Sequence, residues 1–182
     1  MKRKILCSIK ILSMLMVLCL GMMLLPIGAF AVDITAEPNA QFPTIPLIFA
    51  NGNAMILAAG TTADYTVVYL DANSNGVIDG GDTIQTISGA TGSANAGGYD
   101  LSSYWIYGGS NTANLTGDTK ITMLGGKVTD IYGGGYGRSG FDEGNVDGNT
   151  SITVTGGSLI WLTGGGRYGA VTGSTNVNIS GG

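Results

Sequence analysis

The chain has 182 residues, 44% hydrophobic and 11% charged, with 32 Gly, 4 Pro and no His. Both cysteines (Cys7, Cys19), five of the seven Met and four of the eight basic residues lie in the first thirty-one residues, and the remainder carries four basic residues against twelve acidic ones, a formal charge of −8. So acidic a chain suits neither nucleic acid nor an anionic membrane surface, and without Cys or His it can build no disulfide scaffold, thiol nucleophile, Ser-His-Asp triad or ordinary zinc site.

Residues 1–31 have the three parts of a secretory signal peptide. Lys2-Arg3-Lys4 and Lys10 form a cationic start, and Ile11 to Leu25 an apolar run interrupted only by Ser13. Pro26 then breaks the helix, and Ala29-Phe30-Ala31 offers small residues for cleavage before Val32. As a membrane anchor the run is too short, since fifteen helical residues rise about 22 Å against a hydrocarbon core of about 30 Å. As a lipoprotein site Cys19 fails, because Leu18 stands where a small residue is expected. The expected setting is bacterial export, to the medium or the cell surface, with no membrane segment left after cleavage.

Residues 32–48 read as a leader of low order. Within 49–100, Ala54–Ala58, Tyr65–Leu70 and Thr83–Ile87 read as strands, and Ser88–Gly98 as a Gly/Ser/Ala-rich loop. The pattern predicts that 49–100 forms an N-terminal β-cap over the section that follows, shielding its edge.

From Tyr104 the sequence repeats. Trp105-Ile106-Tyr107-Gly108-Gly109 corresponds to Asp130-Ile131-Tyr132-Gly133-Gly134 and to Trp161-Leu162-Thr163-Gly164-Gly165. Likewise Gly117-Asp118-Thr119, Gly148-Asn149-Thr150 and Gly173-Ser174-Thr175 correspond, each followed by a Gly pair (125–126, 156–157, 181–182). Ile106 and Ile131 lie 25 residues apart, and the middle unit carries six extra residues within Arg138–Asn145. Inside each unit Thr119/Ile121/Met123, Thr150/Ile152/Val154 and Thr175/Val177/Ile179 alternate with polar residues, the period of a strand. The reading is all-β: residues 101–182 as a parallel β-solenoid, β-helix-like, of ~25-residue coils. β-hairpin repeats in a sandwich or propeller are the alternative. One core is expected from Ile106, Ile121, Met123, Val128, Ile131, Ile152, Val154, Leu159, Leu162, Val177 and Ile179.

The sharpest chemical motif is Asp71-Ala72-Asn73-Ser74-Asn75-Gly76-Val77-Ile78-Asp79-Gly80-Gly81-Asp82. Oxygen side chains at positions 1, 3, 5, 9 and 12, Gly at 6 and an apolar residue at 8 are the pattern of a calcium-binding EF-hand loop. Asp71, Asn73, Asn75, Asp79 and Asp82 would supply side-chain oxygens and Val77 its carbonyl. An Asx-rich turn that binds nothing is the competing reading. Asp142, Glu143 and Asp147 sit in or beside the insertion and read as a solvated loop. The runs Gly133–Gly137 and Gly164–Gly166 lack the following helix and Lys-Ser/Thr pair of a phosphate loop. Tyr107, Tyr132, Tyr136 and Tyr168 recur near the Gly corners, where aromatic rings either stack on one another or contact glycans. Arg138, Arg167, Lys120 and Lys127 do not recur beside a carboxylate cluster, as a polysaccharide lyase would need, so no catalytic residues and no enzyme activity are expected.

The unit Gly-x-Thr-x-Ile/Val-x-Val-x-Gly-Gly-x-x-x-x-Ile-Tyr-Gly-Gly-Gly resembles the Gly-rich repeat of large bacterial adhesin-like surface proteins of β-solenoid type, over Tyr104–Gly182. The loop 71–82 resembles that of dockerins, whose twelfth residue is likewise Asp, although here strands flank it and one copy is present. The resemblance implies an exported, non-catalytic array for attachment or display, meeting host or environmental glycans or surface proteins. The alternative is a secreted carbohydrate-binding or polysaccharide-degrading β-helix.

Overall fold

In a computed structural model, residues 34–42 and 44–182 are described, and the expected signal peptide lies outside them. The elements in chain order are β1 (Ile34–Thr35), β2 (Leu47–Phe49), β3 (Met55–Ala59), β4 (Thr66–Leu70), β5 (Thr83–Ile84), β6 (Ile87–Ser88), β7 (Gly92–Ser93), a 3₁₀ turn (Ala94–Ala96) and β8 (Gly98–Tyr99). There follow β9 (Trp105–Tyr107), β10 (Leu115–Thr116), β11 (Thr119–Met123), β12 (Asp130–Tyr132), β13 (Val146–Asp147), β14 (Thr150–Val154), β15 (Trp161–Thr163) and β16 (Thr175–Ile179). Among the described residues no helix is long and apolar enough to cross a membrane.

The all-β class holds, but the β-solenoid with an N-terminal cap does not. The largest sheet has eight strands of mixed orientation, in the order β16-β14-β11-β3-β4-β8-β7 with β5 also on β4. Its neighbour β15-β12-β9-β2 is parallel, and β1-β6 and β10-β13 are two-stranded parallel pairs. β3 and β4, expected in a cap, lie in the middle of the large sheet. β3 is parallel to β11, with Met55 beside Ile121 and Leu57 beside Met123, yet antiparallel to β4. The reason is the short connection between β3 and β4. Gly60 N donates to Tyr65 O at 2.8 Å, closing a tight reversal, and a tight reversal joins antiparallel strands whereas parallel neighbours need a long crossover. Alternation of apolar and polar residues is the same in both orientations, so the pattern alone did not distinguish them.

Equivalent residues of the Gly-rich phrases stand side by side. Ile121, Ile152 and Val177 are register partners across β11, β14 and β16, and Ile106, Ile131 and Leu162 across β9, β12 and β15. The core lies between the two larger sheets. It joins Ile48, Ile106 and Ile131 from one to Met55, Leu57, Val68, Ile121, Met123, Ile152 and Val154 from the other, with Leu159 and Leu162 packed against it. Val177 and Ile179, expected in the same core, are instead 42% and 64% exposed, because β16 is an edge strand with one neighbour. Threonine ties the sheets at the corners: Thr119 Oγ1 donates to Gly133 O at 2.6 Å, and Thr150 Oγ1 makes the equivalent bond to Gly164 O.

Ile152 is fully buried between Ile121 and Val177. Ile152→Ala is expected to cost about 2–5 kcal/mol in chemical denaturation. Ile152→Asp, which buries an unpaired charge, should abolish the cooperative transition altogether. An unchanged denaturation midpoint for Ile152→Asp would contradict the register.

Candidate functional site

The loop Asp71–Asp82 leaves β4 and returns as β5, whose pairing Tyr69↔Ile84 and Leu70↔Thr83 holds the loop ends side by side. Its residues then wind round their own side chains. Asp71, only 4% exposed, accepts Asn75 N on Oδ1 (3.1 Å) and Gly76 N on Oδ2 (2.7 Å). Asn73 Oδ1 accepts Asn75 N at 3.1 Å, and Asn75 Oδ1 accepts Val77 N at 2.7 Å. Asp82 closes the circuit, accepting Ala72 N at 3.0 Å and Asp79 N at 2.9 Å. Asp79 Oδ2 accepts both amide groups, from Asn73 and Asn75, at 2.9 Å each. Short Asx side chains bonding two or more residues onward are what let a chain turn this sharply. The Gly81 N–H bonded to its other oxygen, followed by the two amides, holds the Asp79 carboxyl below the ordinary carboxylate range.

All five oxygen-bearing side chains expected to hold calcium are thus brought into one loop, with the exposed Val77 between them. The donor set fits a hard cation in type: three carboxylates and two amide carbonyl groups, with no nitrogen or sulfur ligand. Among the described residues no group of three or more Asp, Glu, His or Cys side chains is gathered closely enough to hold a metal. In this loop Asp79 is linked to Asp71 through Asn75 and to Asp82 through its own backbone N–H.

The sequence did not reveal where the loop sits. Lys120 and Thr122 are the polar residues that alternate with Thr119, Ile121 and Met123, yet Thr122 is 4% exposed, and Lys120 Nζ donates to Ser74 O at 2.5 Å. The loop lies on the outer side of β11. Gly76 has φ +78°, and a Cβ there would stand 2.9 Å from Thr122 Oγ1, so both backbone and contact require Gly.

The four tyrosines read as either stacking on one another or contacting glycans lie on the outer side of the smaller sheet. Tyr107 stacks on Tyr132 with ring centroids 4.6 Å apart, and Phe49 stacks on Tyr107 at 5.2 Å. Tyr136 meets Tyr107 edge-on at 5.7 Å and Tyr168 at 5.9 Å. Tyr107, Tyr132 and Tyr136 are buried, whereas Tyr168 is 38% exposed. The cover comes from the segment read as a leader of low order. Glu37 and Leu47 exchange backbone hydrogen bonds at 2.8 Å, and the buried Asn39 accepts Tyr136 OH at 3.2 Å. Gln41 Oε1 accepts Tyr168 OH at 2.8 Å, and the Phe42 ring meets Trp105 edge-on. The Arg167 guanidinium lies 4.6 Å from the Trp105 ring and 5.3 Å from that of Phe42. One signal could have found this segment: Leu47-Ile48-Phe49 has the apolar-Ile-aromatic order of Trp105-Ile106-Tyr107, its register partner.

Asp142, Glu143 and Asp147 do not converge. Glu143 takes Arg138 bidentately at 2.6 and 2.7 Å, Asp142 accepts from Asn145, and Asp147 accepts Thr172 Oγ1 at 2.7 Å.

Two measurements test the loop geometry. Gly76→Ala is expected to lose about 1–2 kcal/mol, because a side chain is forced into the left-handed region, with the loss read by urea denaturation. Because the Asp79 carboxyl is depressed in the folded state, its contribution is complete above the ordinary carboxylate pKa of 3.8 and disappears as pH falls through the lower folded value. Exchange of the Gly81 amide should therefore accelerate in strong acid more than pH alone dictates, and Asp79→Asn should remove the acceleration.

No protein-family model, curated protein or solved structure matches the chain.

Proposed function

We propose that the chain is an exported, non-catalytic surface protein whose Gly-rich repeats serve attachment or display, with a structural calcium ion held by the loop 71–82. The observation that carries this reading is the loop itself, in which Asp71, Asn73, Asn75, Asp79 and Asp82 are tied into one hydrogen-bonded circuit of side chains and backbone N–H groups. Those side chains and the Val77 carbonyl would hold the ion. Bound there, it would neutralise carboxylates and tie the β4–β5 connection together. Asp rather than Glu at the twelfth position suits the affinity of extracellular modules, about 10⁻⁴–10⁻³ M, and the millimolar calcium found outside cells. The loop's seat on β11 then couples the ion to the repeats, since Lys120 and Thr122 belong to the sheet that continues through β14 and β16. On the outer face of that continuation Ser151/Thr153 and Asn176/Asn178 stand in register, a regular polar surface for display.

Calcium at ten times its Kd should stabilise the native chain by about 1.4 kcal/mol, a rise in Tm of roughly 3–6 °C. Chelator should reverse the rise and Asp71→Asn should remove it. An unchanged Tm would reduce the loop to an Asx-rich turn.

A second reading, carbohydrate binding, is favoured by a groove of about 330 Å³ lined by Ala40, Gln41, Tyr136, Arg138, Ser139 and Tyr168. The partly exposed Tyr168 ring offers a stacking plate there, and Arg138 and Gln41 offer polar groups. Retention on a glycan array that Tyr168→Ala abolishes would favour this reading over a purely structural surface.

A further inference from the structure

The six extra residues of the middle unit, within 138–145, form a fixed wall rather than a merely solvated loop. Gly137 and Gly144 pinch its neck. Both have positive φ (+64° and +66°), and a Cβ on Gly144 would stand 2.5 Å from Gly137 N. Gly137 N donates to Asn111 O at 2.8 Å and Gly144 N to Thr112 O at 3.1 Å, so both ends are tied to the preceding unit. Between them Glu143 holds Arg138 bidentately, and the Arg138 guanidinium lies 4.4 Å from the centre of the Phe141 ring.

The opposite wall is the segment 37–42. Glu37 is fixed by its bridge to Leu47 and by Asn111 Nδ2, which donates to Glu37 Oε2 at 2.6 Å. Between the two walls, the groove beside Tyr168 runs on into a second one of about 360 Å³. Pro38, Leu47, Asn111, Thr112 and Glu143 bound this second part, and both parts share Ala40, Tyr136 and Arg138. Leu47 and Tyr136 are buried and form its floor.

The lining selects by charge. Arg138 is its one cation and Glu143 its one carboxylate, and the two are already paired at 2.6 Å, so a charged ligand finds no free counter-ion. A peptide strand finds no free backbone edge. Asn39 Oδ1 takes the N–H groups of Gln41 and Phe42, and the preceding unit takes those of Gly137 and Gly144. Among the described residues, the Thr112 and Ser139 hydroxyl groups and Asn111 Oδ1 are left without a hydrogen bond, beside the apolar surfaces of Pro38, Tyr136 and Tyr168. Uncharged hydrogen-bonding groups beside ring faces are the complement of a neutral sugar, which stacks its C–H face and bonds through its hydroxyl groups.

We propose that the groove between 38–41 and the insertion binds a short neutral oligosaccharide, with Arg138 and Glu143 as a self-neutralised wall. The proposal rests on the carbohydrate-binding reading above and adds the charge class of the ligand and the second half of its site. Calorimetric titration of the full chain with cellopentaose, mannopentaose, maltopentaose and trigalacturonic acid tests it. At least one neutral probe should bind, and trigalacturonic acid should not. Ala40→Trp and Ser139→Trp alter exposed positions on opposite walls and fill the groove. Each should weaken binding by about tenfold or more while leaving the far-UV spectrum unchanged. Glu143→Gln releases the guanidinium, so it should keep the neutral ligand and gain trigalacturonic acid. Binding that survives both Trp substitutions overturns the proposal but leaves the carbohydrate reading standing. So does a native chain that prefers trigalacturonic acid, or a Glu143→Gln chain that gains no affinity for it. A chain that binds none of the four probes overturns both.

Discussion

The parallel contact between Met55–Leu57 and Ile121–Met123 joins residues more than sixty positions apart, and most of what lies around it follows from that junction. It brings Met55 and Leu57 into the same buried rank as Ile121 and Met123, all fully inaccessible, so the N-terminal and Gly-rich sections share one core. Closing a loop of that length costs chain entropy only logarithmically, whereas each buried aliphatic side chain contributes about 1.5–3 kcal/mol. The apolar pairing therefore outweighs the closure. It also fixes what comes next to β3. The reversal at Gly60–Tyr65 places β4 on the far side, and the loop that leaves β4 is delivered to the outer side of β11.

The two faces of the molecule satisfy their polar groups differently. On the loop side, backbone N–H groups that no ladder can reach are taken up by Asp and Asn side chains, and one carboxylate, Asp79, gathers two amides. On the aromatic side the sheet is sealed by ring stacking and by the segment from Glu37 to Phe42, yet some buried polar atoms have no protein partner: Trp105 Nε1, Tyr107 OH and Asn39 Nδ2. Burial without a charge-stabilising contact large enough to offset it raises the Tyr107 and Tyr132 phenols and also the nearby Asp130 carboxyl. The covering segment keeps these groups out of water.

What the sequence determined by itself was local. Period-two alternation in Thr119–Met123, Thr150–Val154 and Thr175–Ile179 specified strands and their inner faces, because side chains on a strand must alternate. The order of oxygen side chains in 71–82 specified a tightly wound loop, since Asx bonding acts over two to five residues. Tertiary structure alone decided strand orientation and neighbours, which made the predicted solenoid and cap into a mixed eight-stranded sheet, because alternation carries no sign of direction. It alone decided that Leu47–Phe49 and the segment before it cover Tyr107 and Tyr132, because cover depends on contacts between residues that no short-range pattern links. It also left Val177 and Ile179 exposed despite an inward pattern identical to that of Ile152 and Val154, for burial requires a neighbour on each side and β16 has one.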